Sequence, residues 1–200
     1  VAEPVITGLL NFANGEATLL GPDITLKEIE LSVSGTDTGS GEPVPLTVNS
    51  QLRSGGGPLS LTGQVLYSGS DLNADLALKG ERFQMMNNKL AQVYASPDLA
   101  LSLRGQRLEL LGNIAIPEAD IALKRVPESA VVVSDDQVLI TEDDSQRAVG
   151  RYSYSSAVTL ALGDAVQFQG FGLDARFAGD LQVKQSSGEP ALGNGEIRIA

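Results

Sequence analysis

The sequence predicts an all-β protein: one strongly curled, antiparallel-rich sheet with a hydrophobic concave interior. Three observations predict it. First, an apolar residue, any residue, a second apolar residue, any residue and a glycine follow one another six times. The copies are Leu31–Val33–Gly35, Leu59–Leu61–Gly63, Leu76–Leu78–Gly80, Leu101–Leu103–Gly105, Leu108–Leu110–Gly112 and Val166–Phe168–Gly170. Composition by itself gives roughly two, so the excess marks a recurrent structural unit. Second, the period of two puts both apolar side chains on one strand face, while the glycine supplies a turn, kink or bulge where a sheet curls. Third, the apolar residues are mostly Leu, Val and Ile, with aromatics at only 4% and no Trp. Sandwich cores ordinarily use an aromatic plug, and this chain has few rings to fill a centre. A closed antiparallel sandwich also alternates inward apolar and outward polar residues, and it stands as the rival interior.

The elements follow in order. Residues 9–20 hold an Asn14–Gly15 pair that suits a hairpin turn. Ile24, Leu26, Ile29, Leu31 and Val33 alternate, with one slip between Leu26 and Ile29 that a bulge can absorb. Residues 36–45 and 54–58, the latter with Gly55–Gly56–Gly57, read as loops. Residues 76–85 then lie over residues 101–110 without a gap, each with two apolar positions, a basic residue, a glycine, an arginine and two more apolar positions.

Ile114, Ile116, Ile121 and Leu123 extend the apolar row past Pro117, where a proline implies an edge, a bulge or a corner. Residues 81–96 admit two readings. Phe83, Met86, Leu90 and Val93 fit a helical spacing, whereas the repeat carries strand alternation through Met85 toward an Asn87–Asn88 turn and is favoured. Val131–Val133 and Val138–Ile140 read as a hairpin around Ser134–Gln137, and residues 141–150 as an acidic loop. Strands resume at 152–162, 166–168, 173–177, 181–183 and 197–199, with turns expected at Gly163–Asp164, Gly170, Gly179–Asp180 and 186–195. No linker divides the chain, so residues 1–200 are expected to form one domain of many short strands.

Composition bounds the chemistry. Net charge is −11, which disfavours nucleic acid and anionic membrane surfaces, since both call for clustered Lys and Arg. Cys and His are absent from the sequence. Cys-ligated metal, thiolate catalysis, imidazole metal sites and Ser–His–Asp triads are thereby excluded. Asp135–Asp136 and Glu142–Asp143–Asp144 offer hard oxygen ligands, but their spacing fits no EF-hand loop and acidic hairpin tips are ordinarily solvated. Paired carboxylates for glycoside hydrolysis need a cleft, and the acids here stand largely beside Gly, Ser or Asn in expected turns. No phosphate-binding loop or dinucleotide fingerprint follows a strand. No apolar run is long enough to cross a bilayer as a helix. The expectation is a protein that is not an enzyme, with no cofactor, no metal and no nucleic-acid partner.

One stretch is more specific. Ser96–Pro97–Asp98–Leu99 and the run from Leu111–Gly112–Asn113–Ile114 to Ile121 resemble the TamB C-terminal domain family of the AsmA-like group. Residues 134–140, 162–164 and 172–179 add further likeness, good from about residue 72 onward and looser before it. The resemblance implies a periplasmic β-taco, a curled sheet with a hydrophobic interior, as a fragment of a longer protein anchored in the inner membrane by a segment outside this chain. It also implies partnership with TamA, an outer-membrane barrel with POTRA domains, and a role in outer-membrane biogenesis. The family's motifs are structural and name no catalytic site.

Alternation assigns the concave wall to Leu59, Leu61, Leu76, Leu78, Leu101, Leu103, Leu108, Leu110, Ile114, Ile116, Ile121, Leu123, Val166, Phe168, Leu181 and Val183. Such a wall suits phospholipid acyl chains, and the first expected function is a lipid conduit between inner and outer membranes. The second is a scaffold for outer-membrane barrel substrates, autotransporters among them, or for TamA, through pairing at free strand edges. A spacer with a filled interior is the third.

Overall fold

A computed structural model describes residues 6–37, 43–68, 71–123 and 153–199. Within them eleven strands form one sheet. In chain order they are β1 (Ile6–Leu19), β2 (Ile24–Asp37), β3 (Val44–Ser54), β4 (Gly57–Ser68), β5 (Asp71–Gly80), β6 (Phe83–Asn87), β7 (Ala91–Arg104), β8 (Arg107–Leu123), β9 (Ser153–Gly170), β10 (Leu173–Ser186) and β11 (Leu192–Ile199). The spatial order is β1-β2-β3-β4-β5-β7-β8-β9-β10-β11, with β6 paired to β7 off this path. Every neighbouring pair is antiparallel except β8 and β9, which are parallel. The sheet is therefore a meander with one crossover. The described strands belong to one hydrogen-bonded sheet, where a sandwich has two.

The strands are longer than the sequence suggests, because several turn signals lie inside strands. Asn14–Gly15 is not a hairpin: β1 runs through it, and the left-handed Asn14 (φ 56°) sits where the β1–β2 register shifts. Gly163–Asp164 and Gly179–Asp180 likewise leave β9 and β10 unbroken. β9 is held on both sides, by β8 and by β10, so its extra residues bulge rather than reverse the chain. The predicted slip between Leu26 and Ile29 is a bulge between Lys27 and Glu30, with Glu28 at φ 51°. The break around Pro117 is a bulge too. Residues 81–96 are strand, not helix, and the loop at 54–58 contracts to a two-residue turn at Gly55–Gly56. The expected hairpin at 131–140, the acidic loop at 141–150 and residues 38–42 lie outside the described residues.

The two aligned repeats fold differently. In the second, Gly105–Gln106 is a tight hairpin turn, with Gly105 at φ 58° and Arg104 opposite Arg107. In the first, Gly80 ends β5 and the chain bends at Glu81–Arg82, so that β6 pairs with β7 beyond the stretch β5 covers. Mid-strand glycines serve close approach. A Cβ on Gly112 (φ 138°) would stand 2.2 Å from the Asp98 carbonyl oxygen of β7. Only a residue without a side chain tolerates both that dihedral and that contact.

Register breaks line up across neighbouring strands. They fall at Gln84/Met86 in the β6–β7 ladder, Tyr94/Ser96 in β7–β8, Ile116/Glu118 in β8–β9 and Phe177/Gly179 in β9–β10. Each bulge bends its strand and raises the local twist. The ladders β3–β4, β4–β5 and β5–β7 carry no such break.

Candidate functional site

Partners across a ladder project their side chains to the same face, so the register fixes faces strand by strand. Starting from Leu78, one row runs Leu61, Leu78, Leu99, Gly112, Val158 and Val183. The next runs Gly63, Leu76, Leu101 and Leu110, and the next Val65, Ala74, Leu103 and Leu108. On the other side of the first row stand Leu59 with Gly80, then Pro97, Ile114, Leu160 and Leu181. Ile116 follows beside Leu162. Beyond the bulges, Val166 lies beside Ala119 and Phe177, Phe168 beside Ile121 and Ala175, and Leu123 beside Gly170.

All sixteen residues assigned to the wall by alternation thus project from one face. Bulges preserve that face where simple counting loses it. From Ile116 to Ala119 is an odd step, and the extra β8 residue opposite Tyr94–Ser96 of β7 restores the parity.

The same face holds residues that the alternation did not single out as wall. Leu10, Phe12, Ile29, Leu31, Val33, Leu46, Val48 and Leu52 extend it through β1–β3. Val158, Leu160 and Leu162 extend it through β9. Their own alternation was legible, but their alignment with the repeats depended on pairing. Along the nine intervals between path strands, at about 4.8 Å each, this apolar face is about 43 Å broad.

The opposite face carries the ion pairs, beside a small apolar row of Ala77, Ala100, Leu111 and Ala157. Lys79 Nζ lies 3.2 Å from Asp98 Oδ1, and Arg104 grips Asp75 with both carboxylate oxygens at 2.7 and 2.8 Å. Arg82 reaches Glu118 at 2.6 Å and lies over the Tyr94 ring at 5.4 Å, and Arg53 meets Glu28 at 3.0 Å. Asp75, Asp98 and Glu118 are strand residues, a correction to the expectation that the acids gather in turns. Exposed pairs of this kind contribute about 0–1 kcal/mol each, so they mark the solvent side more than they hold the fold. No group of three or more His, Cys, Asp or Glu among the described residues is placed to hold a metal.

Burial varies along the apolar face. At the end formed by the start of β1 and the ends of β4 and β7, Leu10 is 60% exposed, Tyr67 49% and Leu72 43%. A shallow groove there is bordered by Leu10, Val33 and Leu46. At the other end Ile24, Phe83, Ala95, Ala119, Val166 and Ala175 are buried, Ala95 completely, while Leu19 and Leu173 are 44% and 43% exposed. Between them the leucines of β4, β5, β7 and β8 are mostly half-buried. Of the nine buried apolar residues four are alanines, so few large side chains of this face are wholly enclosed.

The described residues thus form a broad β-sheet module with one apolar face, one ion-paired face and two terminal strands. Residues 48–200 match the family model described as the TamB C-terminal domain, and the chain belongs to that family. A curated relative, the translocation and assembly module subunit TamB of Haemophilus influenzae, is 22% identical over 202 residues. That alignment covers 95% of this chain and 15% of the relative, so the chain spans a small part of the relative's length. No solved structure matches.

Proposed function

We propose that this chain is a periplasmic segment of an envelope-spanning protein in outer-membrane biogenesis. Its apolar face serves as a hydrophobic groove for phospholipid moving between inner and outer membranes. The single observation that carries the reading is the continuous apolar face, broad and half-buried, on one side of a single sheet. The aligned bulges supply bends, and in this reading they curl the sheet into a β-taco with the apolar face inside.

The energetics favour shuttling over tight binding. An acyl chain in water costs about 0.8 kcal/mol per CH₂, so a sixteen-carbon tail costs about 10–13 kcal/mol to release into solvent. A wall of Leu, Ile and Val offsets most of that cost, because bilayer to groove is a transfer between two apolar media. Headgroups ride in water at the open side, and no cluster of polar residues on this face selects among them. The groove is lined by the sixteen wall residues, with Leu78, Leu101, Leu103 and Leu110 at its centre.

A second reading rests on the sheet's ends. β1 and β11 terminate the strand order, and β11 is exposed along its whole length. A free edge can take up a strand from another chain. TamA, the barrel partner implied by the family, and barrel substrates are the candidates for that addition.

Photo-crosslinking separates the two. Probes replacing Leu78 or Leu103 should capture phospholipid, and detergent-free protein should carry phospholipid in native mass spectrometry. Capture of protein by a probe at Ile197, with no lipid at Leu78 or Leu103, would replace the groove with the scaffold.

A further inference from the structure

One strand stands at the end of the apolar face formed by β2, β3, β4 and β7: β6, which is unlike every other strand. It has five residues, pairs with β7 only, and is bounded by bends at Glu81–Arg82 and at 88–90. Arg82 is left-handed at φ 45°. From that bend β6 reaches the ends of β4, β3 and β2. Glu81 N donates to Pro58 O at 3.2 Å, Asn87 N to Pro22 O at 2.8 Å, and Asn88 Nδ2 to Gly21 O at 3.4 Å. β6 therefore ties the β6–β7 corner to the β1–β2 turn.

The glycine run that reads as a plain loop is the seat on which β6 lies. A Cβ on Gly57 would stand 2.1 Å from the Arg82 carbonyl oxygen, and one on Gly55 would stand 2.6 Å from Gln84 Cβ. The contact is polar as well as apolar. Gln84 Nε2 donates to Tyr94 OH at 3.0 Å, and Phe83 lies opposite the fully buried Ala95. One group beside the seat is unsatisfied. Ser54, at the end of β3, is 1% exposed and its Oγ has no hydrogen-bond partner. An orphaned buried hydroxyl penalises the seated arrangement and would gain water if β6 lifted.

We propose that β6 is a detachable strap closing one end of the apolar face, and that lipid passes that end only when the strap lifts from its glycine seat. The proposal rests on the lipid reading above. Its physical basis is a short segment with one partner strand, a few end-on hydrogen bonds and a built-in penalty for closure. Such segments open far more readily than the sheet they sit on. The opposite end, where Leu10 and Tyr67 are exposed, needs no such device.

Hydrogen exchange on the full chain tests the motion without lipid. Amides of residues 83–87 should exchange at least about tenfold faster than those at the centres of β4, β5 and β8. Gly57→Ala should quicken them by about a further tenfold while leaving the centre unchanged, because the added methyl meets backbone. Exchange of β6 in step with the sheet centre, in both proteins, overturns the strap.

The gate is tested by locking. The chain has no Cys, so Gly21→Cys with Asn88→Cys gives two thiols that a short bis-methanethiosulfonate linker can bridge. Bridging should slow loading of labelled phosphatidylethanolamine from vesicles by about tenfold or more, and reduction should restore it. Equal loading in both states makes β6 a fixed end wall and overturns the gate. Absence of loading in the wild type as well overturns the groove reading itself, whatever the exchange data show.

Discussion

Leu110 and Leu111 are consecutive residues of β8 and project to opposite faces, which makes them a matched pair. Leu110 stands half-buried between Leu101 and Ser156 on the apolar face. Leu111 stands on the ion-paired face between Ala100 and Ala157, 42% exposed. Leu→Asp at either position removes the same side chain from the same strand, so the intrinsic cost to the β conformation is alike.

The difference arises only when a guest covers the apolar face. Burying the Leu110 side chain against an acyl chain contributes about 1.5–3 kcal/mol, which the aspartate loses. The carboxylate must also shed water against hydrocarbon, at a further cost of at least about 1–3 kcal/mol. A loss of about 3 kcal/mol or more corresponds to at least about a hundredfold weaker lipid retention. The assay is native mass spectrometry of detergent-free protein, scored as the fraction carrying phospholipid, with circular dichroism reporting the fold. Leu110→Asp should lose lipid and Leu111→Asp should keep it. Equal retention in two folded variants refutes the groove. Equal loss accompanied by unfolding shows instead that both leucines hold the sheet.

Other outcomes follow from particular contacts. Gly112→Ala combines a left-handed dihedral with a Cβ 2.2 Å from the Asp98 carbonyl oxygen, and should destabilise by about 2–4 kcal/mol, lowering Tm by about 5–15 °C. Gly193→Ala, whose Cβ would lie 3.3 Å from a flexible Leu181 methyl, should change Tm far less, and equal shifts would contradict the close-approach reading. Ala95→Leu places a large side chain at the fully buried site opposite Phe83 and should cost about 1–3 kcal/mol by urea unfolding. Ser54→Ala removes a partnerless buried hydroxyl and should leave stability unchanged or raise it by about 1 kcal/mol in the same measurement. Asp75→Asn breaks an exposed pair with Arg104, and should cost less than about 1 kcal/mol, less still in high salt.

Alternation was enough to place Leu59 and Leu61 with Leu76 and Leu78, and Leu101 and Leu103 with Leu108 and Leu110, because the side-chain period of a strand is set by the covalent chain. It also located the slips at Leu26–Ile29 and at Pro117, where the period visibly breaks. Turn residues were less informative. Gly163–Asp164 and Gly179–Asp180 have the composition of reversals yet lie inside strands, since neighbours on both sides hold the chain to its course, and Asn14–Gly15 lies inside β1, where pairing with β2 resumes beyond a bulge. The same glycine ends a strand at Gly80 and turns a hairpin at Gly105, a difference made by which segment each following residue pairs with.

The local pattern of this sequence by itself determined that the protein is a β sheet with one greasy side, since local geometry alternates faces whatever the strands do next. Tertiary structure alone decided the strand order, the parallel β8–β9 pair and the short β6 strand seated against Gly55–Gly57. Those depend on contacts between residues tens of positions apart, and a local pattern carries no record of its distant partner.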